Sequence, residues 1–400
     1  MNGNISVGID IGSNHVKVVV SERSSTKEKK LPKIIATGHT ESKGLHHGYI
    51  VNVPDVTECV RQAVNEAEKM AKIKIKKVFL SVGGIGLESI SEYGSAIVSR
   101  GDGQITKTDV EKAVEAAEKA IPQQIIANRS IVNTAIPLSY KIDGKEVLGG
   151  NPVGMKGLKI DAKVFFVTCF TKQLTDLVSA VEDAGLEVID VLPAPLAASV
   201  VNLNKVQKMA GCVLANIGAE TLSVVVFENG LPVSLEVFPI GSNDITNDIA
   251  LGLRVSLEEA ENIKKGALTN SSFTKKDLDR IIVSRISDMF DLVEAHLKKI
   301  GRSGLLPAGV ILTGGGSSIH TIEEMAKVAL RLPSKLGGLP IEEDGRPIKD
   351  SSWSVAYGLS IWGFTGNTTE SSLGFEKPAF GGFVEELKNW LKSIIHPFLP

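Results

Sequence analysis

The sequence predicts an α/β fold of two related halves, and three observations carry that prediction. Short β-branched runs alternate with segments of helical period along most of the chain, the pattern of layered sheets and helices. One design occurs twice: an apolar strand, a polar residue, Ile-Gly, a short polar turn and a second alternating strand. It reads "SVGIDIGSNHVKVVVSE" from residue 6 and "VLANIGAETLSVVVFENG" from residue 213. Copies so far apart indicate two halves of common plan facing one another. At 400 residues the chain also exceeds what one core holds, so about two to four domains are expected.

The elements follow in order. Val7, Ile9 and Ile11, then Val16, Val18 and Val20, alternate around "GSN", which predicts a hairpin with a tight turn. A helix is expected over "VPDVTECVRQAVNEAEKMAKI", capped by Asp55 with Glu58 three residues on, and with Val56, Val60, Ala63, Val64 and Ala67 on one face. "KKVFLSVGG" reads as a strand and "ITKTDVEKAVEAAEKAI" as a helix starting at Thr106 or Thr108. "AKVFFVTCF" is a strand leading into the helix "TKQLTDLVSAVEDAG", and "LEVIDVLPAPLAASVVNL" gives strand, turn and helix. A new unit begins near residue 211 with the second hairpin. Within it "SLEEAENIKKG" opens on the capping pair Ser256 and Glu259. "GVILTGGGSSIHTIEEMAKVA" reads as a buried strand, three glycines and a helix capped by Ser317 or Ser318.

Composition narrows the function classes. Hydrophobic content of 43% and charge of 22% are ordinary for a folded chain. A net charge of −2 gives no basic field for a phosphate backbone, so nucleic acid is not an expected partner. Cys59, Cys169 and Cys212 are too few and too scattered for a disulfide framework or a cysteine metal site, which suits a reducing cytosol. The first residues lack a basic region followed by an apolar run, so no signal peptide is expected, and no stretch is long and apolar enough for a spanning helix. A soluble cytoplasmic body is the expectation.

The glycine turns carry the chemistry. At the first hairpin Gly12 lets backbone N–H groups approach an anion, and Ser13 and Asn14 add short donors. Asp10 sits where a carboxylate can hold a hydrated Mg²⁺ beside a polyphosphate, and Lys17 on the returning strand supplies a point charge for phosphates. The second hairpin would close on the other side with Gly218, Ala219, Glu220 and Thr221. Gly314, Gly315, Gly316 and Ser317 form a backbone platform able to lie against a base and sugar. Glu261 and Lys264, three residues apart on one helix face, can grip ribose hydroxyls and an adenine edge. Each piece alone also reads as a structural turn, a loop or a solvated ion pair. Their order and spacing carry the signal.

That order resembles the actin–Hsp70–sugar kinase superfamily: a phosphate hairpin, a second phosphate hairpin, then an adenosine loop with a glycine triplet. More narrowly the chain resembles the FtsA family of bacterial cell-division proteins, over about residues 5 to 400. The blocks that carry this are "GYIVNVPDVTECVRQAVNEAEKMA", "SRGDGQITKTDV", "VNTAIPLSYKIDG", "NPVGMKGLKIDAKVFFVT", "VLPAPLAASVVNL", "PIGSNDITNDIALGLRVSLEEAENIKKG" and "VILTGGGSSI". The resemblance implies an actin-like fold of two related halves around an ATP and Mg²⁺ cleft. It implies subdomain 1A over 1–80 and 166–205, the family's 1C over 81–165, 2A over 206–242 and 307–365, and 2B over 243–306. It further implies a protein that polymerises with itself, contacts other division proteins, and tethers the filament protein FtsZ to the cytoplasmic membrane at the division site. The FtsZ C-terminal peptide would dock on 2B, where Arg285, Lys298 and Lys299 offer cations to acidic side chains.

Departures from the family pattern bear on turnover. Asn216 stands where an Asp is usual, and a neutral amide orders a metal-bound or attacking water less strongly than a carboxylate. Glu220 brings a negative side chain toward the terminal phosphates unless it turns away or binds the metal. His15 occupies a position that is often Lys. The expectation is nucleotide binding, with hydrolysis slow or absent: at most a weak ATPase.

The end of the chain adds a membrane expectation. Residues 366–382 have the Gly, Ser, Thr and Pro content of a tether. On a helix, Phe383, Val384, Leu387, Trp390, Leu391, Ile394, Ile395 and Phe398 fall within an arc of roughly 140°. Pro397 ends the regular helix, and about fourteen residues span roughly 21 Å, too short to cross a bilayer. Such a segment lies in an interface or docks on protein. Three alternatives stay open at this stage: a pilus-assembly actin homologue, a degenerate actin-like scaffold without nucleotide, and a true kinase or Hsp70-like ATPase. The last needs a carboxylate at position 216.

Overall fold

Ile5–Ile11 and His15–Glu22 pair antiparallel with Ile9 opposite Val18 and Ile11 opposite Val16, so the alternating β-branched residues enter one core together. A computed structural model describes residues 4–23, 31–132, 135–267, 273–338, 342–343, 346–347 and 350–364. The tether and the two-faced segment from residue 383 onward lie outside the described residues.

The duplication read in the sequence is present in the sheets. In the first half the strand order is Glu187–Pro193, Lys77–Val82, Ile5–Ile11, His15–Glu22, Lys33–Glu41. In the second it is Ser334–Leu336, Val310–Thr313, Cys212–Ile217, Leu222–Glu228, Leu231–Phe238. Both have a parallel side, a central hairpin and an antiparallel outer strand. Each half therefore presents its hairpin turn at the same end of its central strand.

Helices cover the sheets. Val53–Ala71 lays Val56, Val60, Ala63, Val64 and Ala67 on the first sheet, as its period predicts. Its cap is Asn52 rather than Asp55: the Asn52 side chain accepts from the Asp55 N–H at 3.4 Å, and Pro54 follows at the first turn. Two side chains of similar capping power stand three apart, and the proline fixes the earlier start. Ser354–Trp362 returns the chain to the first half and covers its other face, with Tyr357 and Ile361 against Val19. The approach is close because Gly8 and Gly358 have no side chain. A Cβ at Gly8 would overlap the Ala356 carbonyl oxygen, and one at Gly358 that of Ala197.

A third sheet, ordered Lys145–Glu146, Ile136–Ile142, Lys159–Phe170, Glu88–Ile97, carries the helix Lys107–Lys119, capped by Thr106. Strand Lys159–Phe170 serves two cores at once. Ile160, Ala162, Val164 and Phe166 face the inserted sheet and its helix, whereas Phe165, Val167 and Cys169 enter the first half. In the second half Ser242–Leu253, Leu257–Lys264 and Lys275–Lys299 pack Ile245, Ile249, Ala260, Ile263, Ile286 and Phe290 onto the sheet. After Val310–Thr313 the glycines lead into a 3₁₀ turn over Gly315–Ser318, and the helix begins only at Ile322. Ser317 and Ser318 thus lie inside that turn and do not cap the helix. Their hydroxyls donate to the Gly314 and Gly315 carbonyls, which closes the turn locally instead.

Candidate functional site

The first hairpin closes on a two-residue tip, Ser13 and Asn14, with the Gly12 N–H donating to the His15 carbonyl at 3.2 Å. Ser42 fixes it: its hydroxyl donates to the Gly12 carbonyl at 2.6 Å and its N–H to the Asn14 carbonyl at 2.9 Å. Asp10 and Lys17 are register partners at the base of the turn. The Ser81 hydroxyl donates to Asp10 Oδ1 at 2.8 Å, and Oδ2 lies toward Gly12. Burial raises the Asp10 pKa, against the charge of Lys17 and the hydrogen bond from Ser81. Burial lowers that of Lys17, against Asp10 and Asp350. Lys17 Nζ donates to the Ser352 carbonyl at 2.9 Å and sits 5.7 Å from the Trp353 ring centroid.

The second hairpin repeats this geometry. The Gly218 N–H donates to the Thr221 carbonyl at 2.8 Å. The turn is anchored from the start of helix Ser242–Leu253: the Ser242 N–H donates to Gly218 and the Asn243 N–H to Ala219, at 2.9 and 2.8 Å. Asn216 stands where Asp10 stands in the first copy, between Ser223 and Thr313. Gly314, at φ 86°, passes so near that a Cβ there would overlap Asn216 Oδ1. Glu220 does turn away from the hairpin. Its Oε2 accepts from the His47 N–H at 2.5 Å, its carbonyl bonds the His47 ring at 3.0 Å, and its Oε1 is 3.9 Å from His46 Nδ1.

The remaining elements assemble beside that hairpin. Lys264 Nζ meets Glu261 Oε2 at 2.6 Å and donates to Thr246 Oγ1 at 2.8 Å and the Ser242 carbonyl at 3.1 Å. Burial opposes the Glu261 charge, yet hydrogen bonds from Lys264 and Thr246 bring its pKa down to about 2. Glu261 and Lys264 are therefore paired with each other and tied to the residues that hold the second turn. Gly315 is exposed, whereas Gly316 and Ser317 are buried, with Ser317 Oγ 3.0 Å from Ser351 Oγ. Burial and then the charges of Lys17 and His39 lower the His15 pKa, against the charge of Glu41.

Farther out on Lys275–Lys299, Arg285 forms a bidentate pair with Asp248 at 2.7 and 3.0 Å and lies 3.5 Å from Asp288. Lys298 pairs with Glu294, while Lys299 is exposed. The apolar stripe Phe383, Val384, Leu387, Trp390, Leu391, Ile394, Ile395 and Phe398 lies outside the described residues. Among the described residues no helix is long and apolar enough to cross a membrane, and no cluster of three or more His, Cys, Asp or Glu suits a metal.

The family model "Cell division protein FtsA" matches residues 213–358, and "SHS2 domain inserted in FTSA" matches residues 86–168. The cell division protein FtsA of Neisseria meningitidis serogroup B is 30% identical over 414 residues, covering 96% of this chain and 97% of that protein. The chain belongs to the FtsA family. Among solved structures, the PilM-PilN type IV pilus biogenesis complex matches with a TM-score of 0.66 at 17% identity, over 90% of this chain and 98% of the other. MreB 5 of Spiroplasma citri bound to AMPPNP matches with a TM-score of 0.50 at 12% identity, over 99% of each. These structures show the actin-like fold of this FtsA-family chain.

Four residues near the site escaped the sequence reading: Ser42, Ser81, His47 and Asp248. Ser81 is the last residue but one of strand Lys77–Val82, where a polar residue after Val78, Phe79 and Leu80 was the available signal. The other three sit in contexts that look like ordinary surface.

Proposed function

We propose that this FtsA-family chain binds ATP with Mg²⁺ between its halves, assembles with itself, and tethers FtsZ filaments to the cytoplasmic face of the membrane. The observation that carries the nucleotide part is the pair of like hairpins, closed by Gly12 and Gly218, of which the first keeps a carboxylate and a lysine at its base. Asp10 suits a cation held through water: Ser81 occupies one oxygen and the other lies toward the turn. Such an ion rests mainly on phosphate and water, which is consistent with the lack of a protein cage among the described residues. The Mg²⁺ would neutralise phosphate charge, with Lys17 as a second positive group. Backbone N–H groups of Ser13, Asn14, Ala219, Glu220 and Thr221 are the donors this reading assigns to phosphates, and Gly314 to Ser317 with Glu261 and Lys264 those it assigns to the nucleoside. Asn216, a neutral amide at the position Asp10 holds in the first copy, supports slow or absent hydrolysis.

Subdomains 1A, 1C, 2A and 2B take the boundaries given above, except that helix Ser354–Trp362 packs on the first sheet and so is assigned to 1A and not to 2A; Arg285 with Lys298 and Lys299 is the site assigned to the FtsZ peptide. An acidic peptide would compete with Asp248 for Arg285. The membrane part rests on the tether and the apolar stripe from Phe383. Glu385 and Glu386 offset Lys388 and Lys392, so apolar burial supplies most of the binding. The test is vesicle co-pelleting of the full chain and of a truncation ending at Gly382, with and without ATP and Mg²⁺. Pelleting of the full chain alone supports the anchor, and its dependence on ATP reports assembly. If both forms stay in the supernatant, the tethering role is lost.

A further inference from the structure

The tip of the second hairpin touches the opposite half through Glu220, by its carboxylate and its carbonyl. Glu220 accepts from the His47 N–H at 2.5 Å, while its own carbonyl bonds His47 Nδ1 at 3.0 Å. Both ends of this contact are fixed to their own half. His47 and Gly48 adopt φ of 47° and 80°, and Gly48 packs so tightly on Gly84 that a Cβ would overlap it. Gln173, which is buried, donates to the Gly48 and Gly83 carbonyls at 3.2 and 2.6 Å, and the Ile85 N–H donates to the His47 carbonyl. On the other side, Ser242 and Asn243 hold the turn that carries Glu220, and Gly241 lies against Ala219. The His47 backbone at positive φ is strained for a non-glycine residue, and this packing is what holds it.

We propose that Glu220 is a built-in clasp of the cleft, a protein carboxylate bridging the two halves where a bound anion would otherwise join them. The link to nucleotide rests on the reading of the second hairpin as a phosphate turn; the clasp itself does not. An anion-to-N–H hydrogen bond is stronger than a neutral one, and here it joins two halves whose sheets also share a core through Leu214, Val225 and Ile311. The hairpin tip is therefore bridged to the opposite half without ligand. A nucleotide entering between the hairpins must release Glu220 or settle beside its charge.

The test is hydrogen exchange of the full chain, free of nucleotide, as wild type, Glu220→Gln and Glu220→Ala. Glu220→Gln keeps an acceptor oxygen without the charge. Amides of residues 44–50 should exchange about tenfold faster in Glu220→Ala than in wild type, with Glu220→Gln between, and with both sheet cores unchanged. Equal exchange at 44–50 in all three proteins overturns the clasp, and so does a loss of protection spread evenly over both cores. Titration with ATP and Mg²⁺ separates the two readings. A chain that shows the local difference and binds no ATP keeps the clasp and refutes nucleotide binding. One that binds ATP without the local difference does the reverse.

Discussion

Asp10 and Lys17 face each other across the base of the first hairpin, and each favours the other's charged form against burial. Removing Lys17 leaves Asp10 without its counter-charge and, on the proposed reading, the phosphate turn without its cation. Lys17→Ala should weaken ATP binding by at least about tenfold, roughly 1.4 kcal/mol. A titration followed by fluorescent nucleotide displacement checks this, and unchanged affinity would remove Lys17 from the site. Glu261 gives a second prediction at this scale. Its folded pKa of about 2 lies below the ordinary value of 4.5, so its contribution is present above the ordinary value and lost as pH falls through about 2. Solvent reaches a third of the side chain and screens the pair, which reduces the contribution to about 1 kcal/mol. Urea unfolding of wild type and Glu261→Gln should therefore differ by about that amount at pH 7, with the gap closing between about pH 4.5 and 2. The sequence placed Glu261 and Lys264 on one face correctly. It gave no sign that Thr246 and the Ser242 carbonyl complete the group, because those partners come from another helix.

Elements were legible where one residue period dominates. Val and Ile alternation identified both hairpins, since a one-residue slip would turn every apolar side chain outward. The helix from Val53 and the helix from Lys107 followed from their apolar stripes. What was not legible depends on contacts far apart in the chain. The Ser81 bond to Asp10 spans 71 positions and the Glu220 bond to His47 spans 173. Strand Lys159–Phe170 hid its double role because both faces are apolar. Helix Ser354–Trp362 shows what such contacts demand. Its seat against Ala194–Asn202 leaves no volume at Gly358, where a Cβ would overlap the Ala197 carbonyl. Gly358→Ala should destabilise the chain by about 1–3 kcal/mol through overpacking. Gly101→Ala, at a turn where a Cβ meets nothing within 4 Å, should lie within about 0.5 kcal/mol of wild type. Denaturant midpoints of the two variants decide the point, and equal midpoints would mean the helix shifts freely.

At the scale of the whole molecule the question is whether the final segment belongs to the body or to the membrane. Among the described residues, the cores of the first half, the second half and the inserted sheet are built from side chains up to Phe364. If the stripe from Phe383 to Phe398 serves a membrane, deleting it takes nothing from those cores. A chain ending at Gly382 should then keep its unfolding midpoint to within about 1 °C, which for 400 residues corresponds to a loss of no more than about 1 kcal/mol. If the stripe instead covers an apolar face of the body, the midpoint drops by several degrees. One short amphipathic helix binds a bilayer weakly and reversibly, so firm attachment requires many tails on one assembly. Vesicle binding by the full chain should therefore rise more steeply than in proportion to protein concentration. A substitution that blocks assembly without touching the tail should flatten that rise toward proportionality. Binding strictly proportional to concentration in the intact chain would mean that each copy attaches alone.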